Sequence, residues 1–346
     1  MTASTSGGSS AFSFSFQEPS LSLYQLEIYS TTLLQMKPTY LCPKPRHLIC
    51  FKNWTANMVM EILNSAMNLK CRLGDTHQKR MKVLDNCKVM ILQEVNEPVL
   101  NMAVSKAATL LGARDVNITN PLVWEHDYLG RVFSYMADAI FVSTTTHMCV
   151  QRFADQSSVP VMCMRSRTHA SIQALATVMG IIEEFGTMRC VNVSYLGSPH
   201  PVLNSYLLLC PMLGANIKFK CCCDKCPVSP LLYKASEDMT SSSQTESKEC
   251  KSKDELLKNA SVIIAGPTHA KKHEEFKFSI KDIEKSTKNP WVFFHTCPRG
   301  EEVDDDLFLH SNARTFTAFE NMHFVAAALM ANAIRGYIFK GGFCKC

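Results

Sequence analysis

A chain of 346 residues, 46% of them apolar, is long enough to form two domains with sizeable hydrophobic cores. Its net charge of +5 comes from scattered lysines and arginines rather than from a basic stripe, which argues against a nucleic-acid-binding protein. The apolar runs are too short to span a bilayer; even the run at 202–213 is interrupted by polar residues.

The amino-terminal segment and the cysteines both indicate the cellular compartment of the protein. Residues 1–40 are rich in serine, and we expect them to form a disordered tail. Up to residue 36 this segment lacks arginine and lysine but carries Glu18 and Glu27, unlike a mitochondrial presequence. The chain has sixteen cysteines, and no signal-peptide pattern precedes them. We therefore expect reduced thiols rather than a disulfide framework, and a cytoplasmic location.

Hydrophobic periodicity from residue 51 onward predicts alternating helices and strands. Helices are expected after the N-cap Thr55 and at 99–112, 128–136, 169–185, 202–213 and 321–337. Strands are expected at 87–93, 137–143, 159–164, 189–197, 216–223, 259–266 and 289–295. The polar, serine-rich residues 236–254 are expected to form a surface insertion or loop.

This alternation is typical of α/β proteins and predicts two doubly wound parallel-sheet domains joined by interdomain helices. We place the first domain at 41–168 and the second at 169–322. A C-terminal helix at 323–346 is expected to pack back on the first domain. In such sheets ligands bind at the carboxyl ends of the strands.

The segments around these strand ends resemble the ornithine transcarbamylase family over roughly residues 48–338. The stretches that carry the resemblance are RVFSYMADAIFVS (131–143), VPVMC and IQALA (159–176), VLNS (202–205), FFHTCPRGEEVDDDLF (293–308) and FENMHFVAAALM (319–330). The resemblance implies the transcarbamylase fold and carbamoyl transfer from carbamoyl phosphate to ornithine, yielding citrulline and phosphate. It also implies a trimer with active sites between subunits and, for animal members, the mitochondrial matrix as an alternative location.

The phosphate-binding arginines of the family have no counterparts here. Its Ser-Thr-Arg-Thr-Arg loop matches Glu97, Pro98, Val99, Leu100 and Asn101, and two further family arginines match Ser143 and Met322. Residues 93–105 contain no cation but include two acids. We hypothesise that the Glu97 carboxylate, at a helix N-terminus, occupies the old phosphate position; the alternative is a solvated cap residue.

The remaining family positions are partly retained. In the family's His-Pro-x-Gln motif only Gln173 matches; Ala170 and Ser171 replace His and Pro, and His169 lies one residue early. On the ornithine side, the family's substrate-holding positions match His200, Pro201, Gly266, Ala270, Lys271 and Lys272.

The family's His-Cys-Leu-Pro motif corresponds to His295, Thr296, Cys297 and Pro298. Cys297 is not expected to replace the lost thiol, because neighbouring residues at a strand end point in opposite directions. The candidate substrate-binding residues are therefore Gln173, His295, Cys297 and Pro298, and we identify no confident catalytic residue.

Three other motifs could bind a metal ion or an anion. Cys223-x-x-Cys226 lacks a second ligand pair, so we expect reduced thiols at a strand end and neither a metal nor a cofactor, with zinc binding or a redox role as alternatives. The acidic run 301–306 is expected to form a solvated turn and helix start. Lys271, Lys272 and His273 are expected to form a surface basic patch, with anion binding as the alternative.

The replaced family positions predict a transcarbamylase-fold pseudoenzyme. We expect it to act by assembly, as a homotrimer or a mixed trimer with an active homologue. The first alternative is an enzyme or binding protein for another small metabolite, using Lys271, Lys272, His200 and Gln173. The second alternative is a residual ornithine carbamoyltransferase. Neither nucleic acid nor membrane is expected as a partner.

Overall fold

The computed structural model describes residues 45–75, 80–119, 126, 128–221, 228–268, 276–287 and 290–341. Within these ranges the chain forms two sheets whose neighbouring strands are all parallel, with helices packed on them. This architecture confirms the predicted fold class.

The first sheet has the strand order β2-β1-β3-β4. Its strands are β1 Lys88–Gln93, β2 Arg114–Thr119, β3 Ala139–Ser143 and β4 Val161–Arg165, and its helices are α1 Ala56–Asp75, α2 Pro98–Leu111, α3 Leu129–Ser134 and α4 His147–Gln156. The central β3 is buried along its whole length, as expected of a strand covered on both faces. The edge strand β2 was not predicted, because its largely polar sequence lacks an apolar run.

The second sheet has the order β7-β6-β5-β8-β9. Its strands are β5 Asn192–Gly197, β6 Asn216–Cys221, β7 Ser247–Glu249, β8 Val262–Ala265 and β9 Val292–His295. Its helices are α5 Ser171–Phe185, α6 Pro201–Met212, α7 Pro230–Ser243, α8 Lys253–Leu257, α9 Ile280–Ser286 and α10 Asp305–Phe308. The long final helix is α11 Thr315–Arg335.

Residues 236–254, expected to form a surface insertion or loop, contain regular secondary structure rather than a loop. Helix α7 runs through Ser243, and β7 and α8 follow it. The side chain of Ser229 caps α7 by accepting from the Leu232 amide. Within the helix, the hydroxyls of Ser241 and Ser243 donate to carbonyls one turn back, at Glu237 and Met239. The serines therefore satisfy their own polar groups inside a helix, which their composition alone did not indicate.

The largest core cluster joins the inner faces of both sheets. It includes Val89 of β1, Val193 of β5 and Ala327 of α11. Helix α11 packs against α5, α2 and α1, so the end of the chain contacts helices of both sheets. Apolar burial along these helices is the main stabilising force at this junction.

Two further expectations concern the surface and the thiols. Among the described helices, none combines the length and apolar character that crossing a bilayer requires. Nine of the described cysteines carry free thiols, but Cys71 is disulfide-bonded. The expectation of reduced thiols is therefore wrong at Cys71.

Candidate functional site

The first crevice lies between the carboxyl ends of β1 and β3, where the strand order changes direction. Glu94 follows β1 directly, and its amide donates to the Ser143 carbonyl at 2.8 Å. Its carboxylate accepts hydrogen bonds from the Thr144 hydroxyl (2.5 Å) and from the Thr145 amide and hydroxyl (2.9 and 2.7 Å). An acidic side chain therefore bridges the two strand ends at the position where such sheets bind ligands.

A second carboxylate at this edge is paired with an arginine. Glu97 is the N-cap residue of α2, yet its side chain makes no capping hydrogen bond. Instead, its Oε1 lies 2.6 Å from Nη1 of Arg165, the last residue of β4. The two side chains are only 19% and 35% exposed. Glu97 is therefore half-buried and ion-paired, in contrast to a freely solvated cap residue.

The four positions that match family arginines hold neutral side chains in contrasting environments. Val99 is 52% exposed on the first turn of α2, and Asn101 follows it on the same helix. Ser143 is fully buried at the end of β3, and Met322 is buried in the large core cluster. In the same loop match, Pro98 opens α2 and Leu100 is buried.

The loop after β4 is held by side chains of the second domain. Ala170, at the family's histidine position, is the buried N-cap of α5, and its amide donates to Ser205 Oγ at 3.1 Å. His169 is also buried, and its ring centroid lies 5.1 Å from that of His147. Gln173 Nε2 donates to the Thr296 carbonyl at 2.8 Å. The amide group that the family match retains is thus used within the protein, where it joins α5 to the end of β9.

The second crevice lies between the carboxyl ends of β5 and β8. Gly266, at the family's aspartate position, follows β8, and a Cβ atom there would lie 2.1 Å from the Tyr195 hydroxyl oxygen. A Cβ on Gly197 would likewise lie 2.6 Å from the Gly266 Cα. The Tyr195 hydroxyl donates to the Ser198 carbonyl at 2.8 Å. The phenol of Tyr195 therefore takes the space that a side chain at 266 would need.

His200 begins helix α6 as its N-cap residue. Its Nδ1 accepts a hydrogen bond from the Val202 amide at 3.2 Å, and its side chain is buried. Burial, and to a smaller extent the neighbouring Arg165 and His295, lowers the pKa of His200 to about 3. His200 is therefore a neutral imidazole near neutral pH.

The end of β9 contains a buried histidine–glutamate pair. His295 Nε2 lies 2.9 Å from Glu302 Oε1, with both side chains at most 1% exposed. His295 Nδ1 accepts from the Cys297 amide at 2.9 Å. Burial lowers the pKa of His295, and the Glu302 carboxylate opposes this effect. Because both ring nitrogens are engaged, the imidazole is not available as a general base for a neighbouring thiol.

Cys297 itself is poorly suited to nucleophilic chemistry. Its peptide bond to Pro298 is cis, and its own φ is +46°. Burial, together with the Glu302 carboxylate, raises the pKa of the Cys297 thiol to about 11, against the opposing charge of Arg299. The thiolate is therefore scarce at neutral pH.

Three buried hydroxyls in the described part of the chain have no hydrogen-bond partner. They belong to Ser143, Ser171 and Thr296. Ser143 ends β3, Ser171 begins α5 and Thr296 follows β9, so each lies at a strand end or helix start that the family match assigns to the site. Unsatisfied buried hydroxyls are uncommon in folded proteins, so this concentration calls for an explanation.

The acidic run 301–306 differs from the expected solvated turn. Asp304 does start a helix, since its side chain caps α10 by accepting from the Leu307 amide at 2.8 Å. Glu302, however, is only 2% exposed and also accepts from the Gly300 amide at 2.7 Å. The expectation is therefore wrong for Glu302, because its carboxylate completes a buried polar network.

Several sequence-based candidates lie outside the described residues. They are Ala270, Lys271, Lys272, His273, Cys223 and Cys226. The basic-patch, anion-binding and paired-cysteine interpretations of these residues stay predictions.

Sequence reasoning missed three contributors to the two crevices: Arg165, Glu94 and Tyr195. The Met-Arg-Ser-Arg segment that ends β4 was a visible signal, since it places cations at a strand end. The sequence identified Glu94 only as one of the two acids within residues 93–105. Nothing in the sequence indicates that Tyr195 faces Gly266, because Tyr195 lies on β5 and Gly266 follows β8, far along the chain.

Comparison with known proteins agrees with this architecture. Residues 190–333 match the family model for the aspartate/ornithine carbamoyltransferase, Asp/Orn binding domain. The ornithine carbamoyltransferase of Pyrococcus abyssi is 28% identical, over 87% of this chain and 98% of that protein. The mitochondrial ornithine carbamoyltransferase of Aquarana catesbeiana is 23% identical, over 86% of this chain and 89% of its own length.

A solved structure extends the match to the fold. The ornithine carbamoyltransferase of Pyrococcus furiosus superposes with a TM-score of 0.78 at 24% identity, covering 85% of this chain and 98% of that one. The superposition spans both α/β domains, and the family model covers most of the second. Residues 190–333 therefore carry the Asp/Orn binding domain of the aspartate/ornithine carbamoyltransferases, and the chain is similar to ornithine carbamoyltransferases over most of its length.

Proposed function

We propose that this family member has lost carbamoyl phosphate binding and carbamoyl transfer and acts as a pseudoenzyme. The observation that carries the proposal is the ion pair between Glu97 and Arg165 at the edge of the first crevice. The arginine at that edge is already matched by a carboxylate of its own chain. Glu94 adds a second carboxylate across the neighbouring strand ends. A dianionic substrate would have to displace Glu97 from Arg165 before it could bind the guanidinium.

The binding free energy that the missing arginines would have contributed supports the same conclusion. A hydrogen bond between charged groups contributes roughly 1.5–3 kcal/mol. Losing three such bonds costs about 5–9 kcal/mol, which corresponds to more than a thousandfold weaker binding. The positions matching family arginines are Val99, Asn101, Ser143 and Met322, and all of them are neutral.

The ornithine side supports the proposal independently. Gly266 stands where the family has an aspartate, and Tyr195 fills the adjacent space. Thr296 stands at the family's cysteine position, while the thiol of Cys297 is held in its protonated form. Both halves of the transfer reaction therefore lack groups that the family match would require.

The test is citrulline formation by the purified full chain with carbamoyl phosphate and ornithine, beside an active ornithine carbamoyltransferase as positive control. We expect no turnover above the enzyme-free rate and no tight binding of a bisubstrate analogue of the two substrates. Turnover, or tight analogue binding, would overturn the proposal in favour of a residual ornithine carbamoyltransferase.

For the pseudoenzyme role we propose assembly, either as a homotrimer or in a mixed trimer with an active homologue. Several large apolar side chains between residues 99 and 148 are exposed, and apolar side chains gathered in one patch mark interaction surfaces. They are Val99, Met102, Val116, Tyr128, Tyr135, Met136 and Met148. A second subunit of the same fold would cover such side chains. We propose a cytoplasmic location, with the mitochondrial matrix as the alternative, which cell fractionation distinguishes.

Sedimentation of the full chain, alone and mixed with an active homologue, tests the assembly role. We expect a trimeric species that Tyr135→Glu or Met102→Glu dissociates, because each places a charge among apolar side chains. Leu231→Glu is the matched control, since Leu231 is exposed in the second domain. A monomer under both conditions would contradict the assembly role.

A second candidate function is binding of another small metabolite in the remodelled pocket. The unpartnered hydroxyls of Ser143, Ser171 and Thr296 favour it, because a neutral polar ligand would supply their missing hydrogen bonds. A thermal-shift screen of small metabolites tests this function. Saturable stabilisation that Thr296→Val abolishes would support it, and no stabilising compound would leave the assembly role as the better proposal.

A further inference from the structure

Three metal-ligating side chains converge beside the first sheet. Cys50, His147 and His169 each offer a ligand atom, and these atoms all lie within 4.8 Å of one another. A tetrahedral Zn²⁺ site with bonds of about 2.0–2.3 Å holds its ligand atoms about 3.3–3.8 Å apart. The three side chains therefore need to approach by only about 1 Å to bind one ion.

Hydrogen bonds orient both imidazoles. Nδ1 of His147 lies 3.2 Å from Ser166 Oγ, and Nδ1 of His169 lies 3.5 Å from Ser205 Oγ. Among the hydrogen bonds of the described residues, none engages Nε2 of either ring. Metal-binding histidines typically use one nitrogen for the metal and the other for such a supporting bond.

The three ligands stand on a fixed scaffold. Cys50 lies two residues after Leu48. The Leu48 amide donates a hydrogen bond to the Val161 carbonyl, and the Leu48 carbonyl accepts one from the Cys163 amide, both on β4. His147 begins α4 after a threonine loop that the Glu94 carboxylate holds. The amide of His169 donates to Ser166 Oγ at 3.0 Å. Because hydrogen bonds already hold these segments in place, binding an ion costs the ligand side chains little conformational entropy.

The protonation states suit a metal. Burial lowers the pKa of His147, and burial together with His147 lowers the pKa of His169 to about 3, so both imidazoles are neutral near pH 7. Burial raises the pKa of the Cys50 thiol, while the Lys52 amide opposes this by a hydrogen bond. A bound divalent metal removes the proton of a coordinating thiol outright.

We propose that Cys50, His147 and His169 form a zinc-binding site, with a water molecule in the fourth position. Thiolate and imidazole are the ligand types that Zn²⁺ prefers. This proposal departs from the sequence-based expectation of no metal, because 97 and 22 residues separate successive ligands and no local motif marks them. It does not depend on the loss of carbamoyl transfer.

Metal titration of the full chain after chelation tests the site, with Zn²⁺ and with Co²⁺ as the spectroscopic probe. We expect wild type to bind one more equivalent than Cys50→Ser, and to show a thiolate-to-cobalt charge-transfer band that this variant lacks. Ser205→Ala should weaken Zn²⁺ binding by about 10–100-fold, because it removes the support of His169. Cys149→Ser is the matched control, since Cys149 is also half-buried and lies on α4, and it should retain the band.

A second measurement on the unmodified protein covers the case in which a variant fails to fold. Zn²⁺ should protect Cys50, but not Cys149, from alkylation followed by mass spectrometry. Equal metal stoichiometry and affinity in wild type and Cys50→Ser would overturn the proposal, as would unchanged alkylation of Cys50 with and without Zn²⁺.

Discussion

Arg165 Nη1 lies 2.6 Å from Glu97 Oε1, across 68 residues of sequence. An arginine beside a strand-end crevice would ordinarily favour anion binding. Here a carboxylate of the same chain already neutralises it, so a phosphate must compete with Glu97 for the guanidinium. The net charge at this edge therefore depends on the pair and not on either residue alone.

Removing the negative charge from this pair should restore anion binding. In Glu97→Gln, we expect affinity for inorganic phosphate to rise by at least about tenfold, because one charge-assisted hydrogen bond contributes roughly 1.5–3 kcal/mol. Isothermal titration measures the change. The double variant Glu97→Gln/Arg165→Gln should bind phosphate as weakly as wild type, and equal affinity in wild type and Glu97→Gln would contradict this prediction.

Grafting the family's phosphate loop should not restore catalysis. We expect the chain carrying Ser-Thr-Arg-Thr-Arg at 97–101 to form no citrulline, because Ser143, Gly266 and Thr296 remain changed. The assay is citrulline formation at saturating substrate, with phosphate titration to show whether the graft binds an anion. Measurable turnover by this variant would mean that the rest of the pocket is more competent than its side chains indicate.

Restoring the family's aspartate should destabilise the protein. In Gly266→Asp, the new Cβ would lie 2.1 Å from the Tyr195 hydroxyl oxygen, so the strand ends must move. We expect a loss of about 1–3 kcal/mol in the free energy of unfolding, measured by urea denaturation. Gly74→Asp is the control, since a Cβ there meets no atom within 4 Å, and it should change stability by less than about 0.5 kcal/mol. Equal effects of the two substitutions would refute the steric account.

His200 should make the protein less stable in mild acid. The pKa of His200 in the folded protein is lowered to about 3, chiefly by burial, whereas a histidine in the unfolded chain has a pKa of about 6.5. Below about pH 6.5 the unfolded chain therefore binds a proton that the folded protein does not, and stability falls by up to about 1.4 kcal/mol per pH unit.

His200→Asn keeps a side chain that can cap α6 but does not titrate, so its stability should fall less steeply from about pH 6.5 to 5. Urea denaturation across this range measures the slope. Gln173→Ala removes a non-titrating side chain from the same region and should keep the wild-type slope. Parallel curves for His200→Asn and wild type would show that the imidazole does not resist protonation in the folded protein.

Sequence reasoning located the helices and strands that have long apolar patterns. The central strands and the helices α5 and α11 follow from runs whose burial dominates the local choice. The edge strand β2 and the serine-rich helix α7 were missed, because pairing with β1 and bonding of serines to their own helix outweigh local composition. Tertiary context decides such weakly patterned segments.

The sequence by itself determined which residues stand where the family resemblance predicts arginines, since the identity of a residue at a strand end needs no coordinates. It also determined the two-domain parallel fold, because hydrophobic periodicity is a local property. Only the tertiary structure decided what surrounds these positions. Glu97 meets Arg165, Gly266 meets Tyr195, and Cys50 meets two histidines, through contacts between segments far apart in the chain. Such contacts depend on which strands neighbour each other and on loop conformation, and neither is encoded in any short stretch of residues.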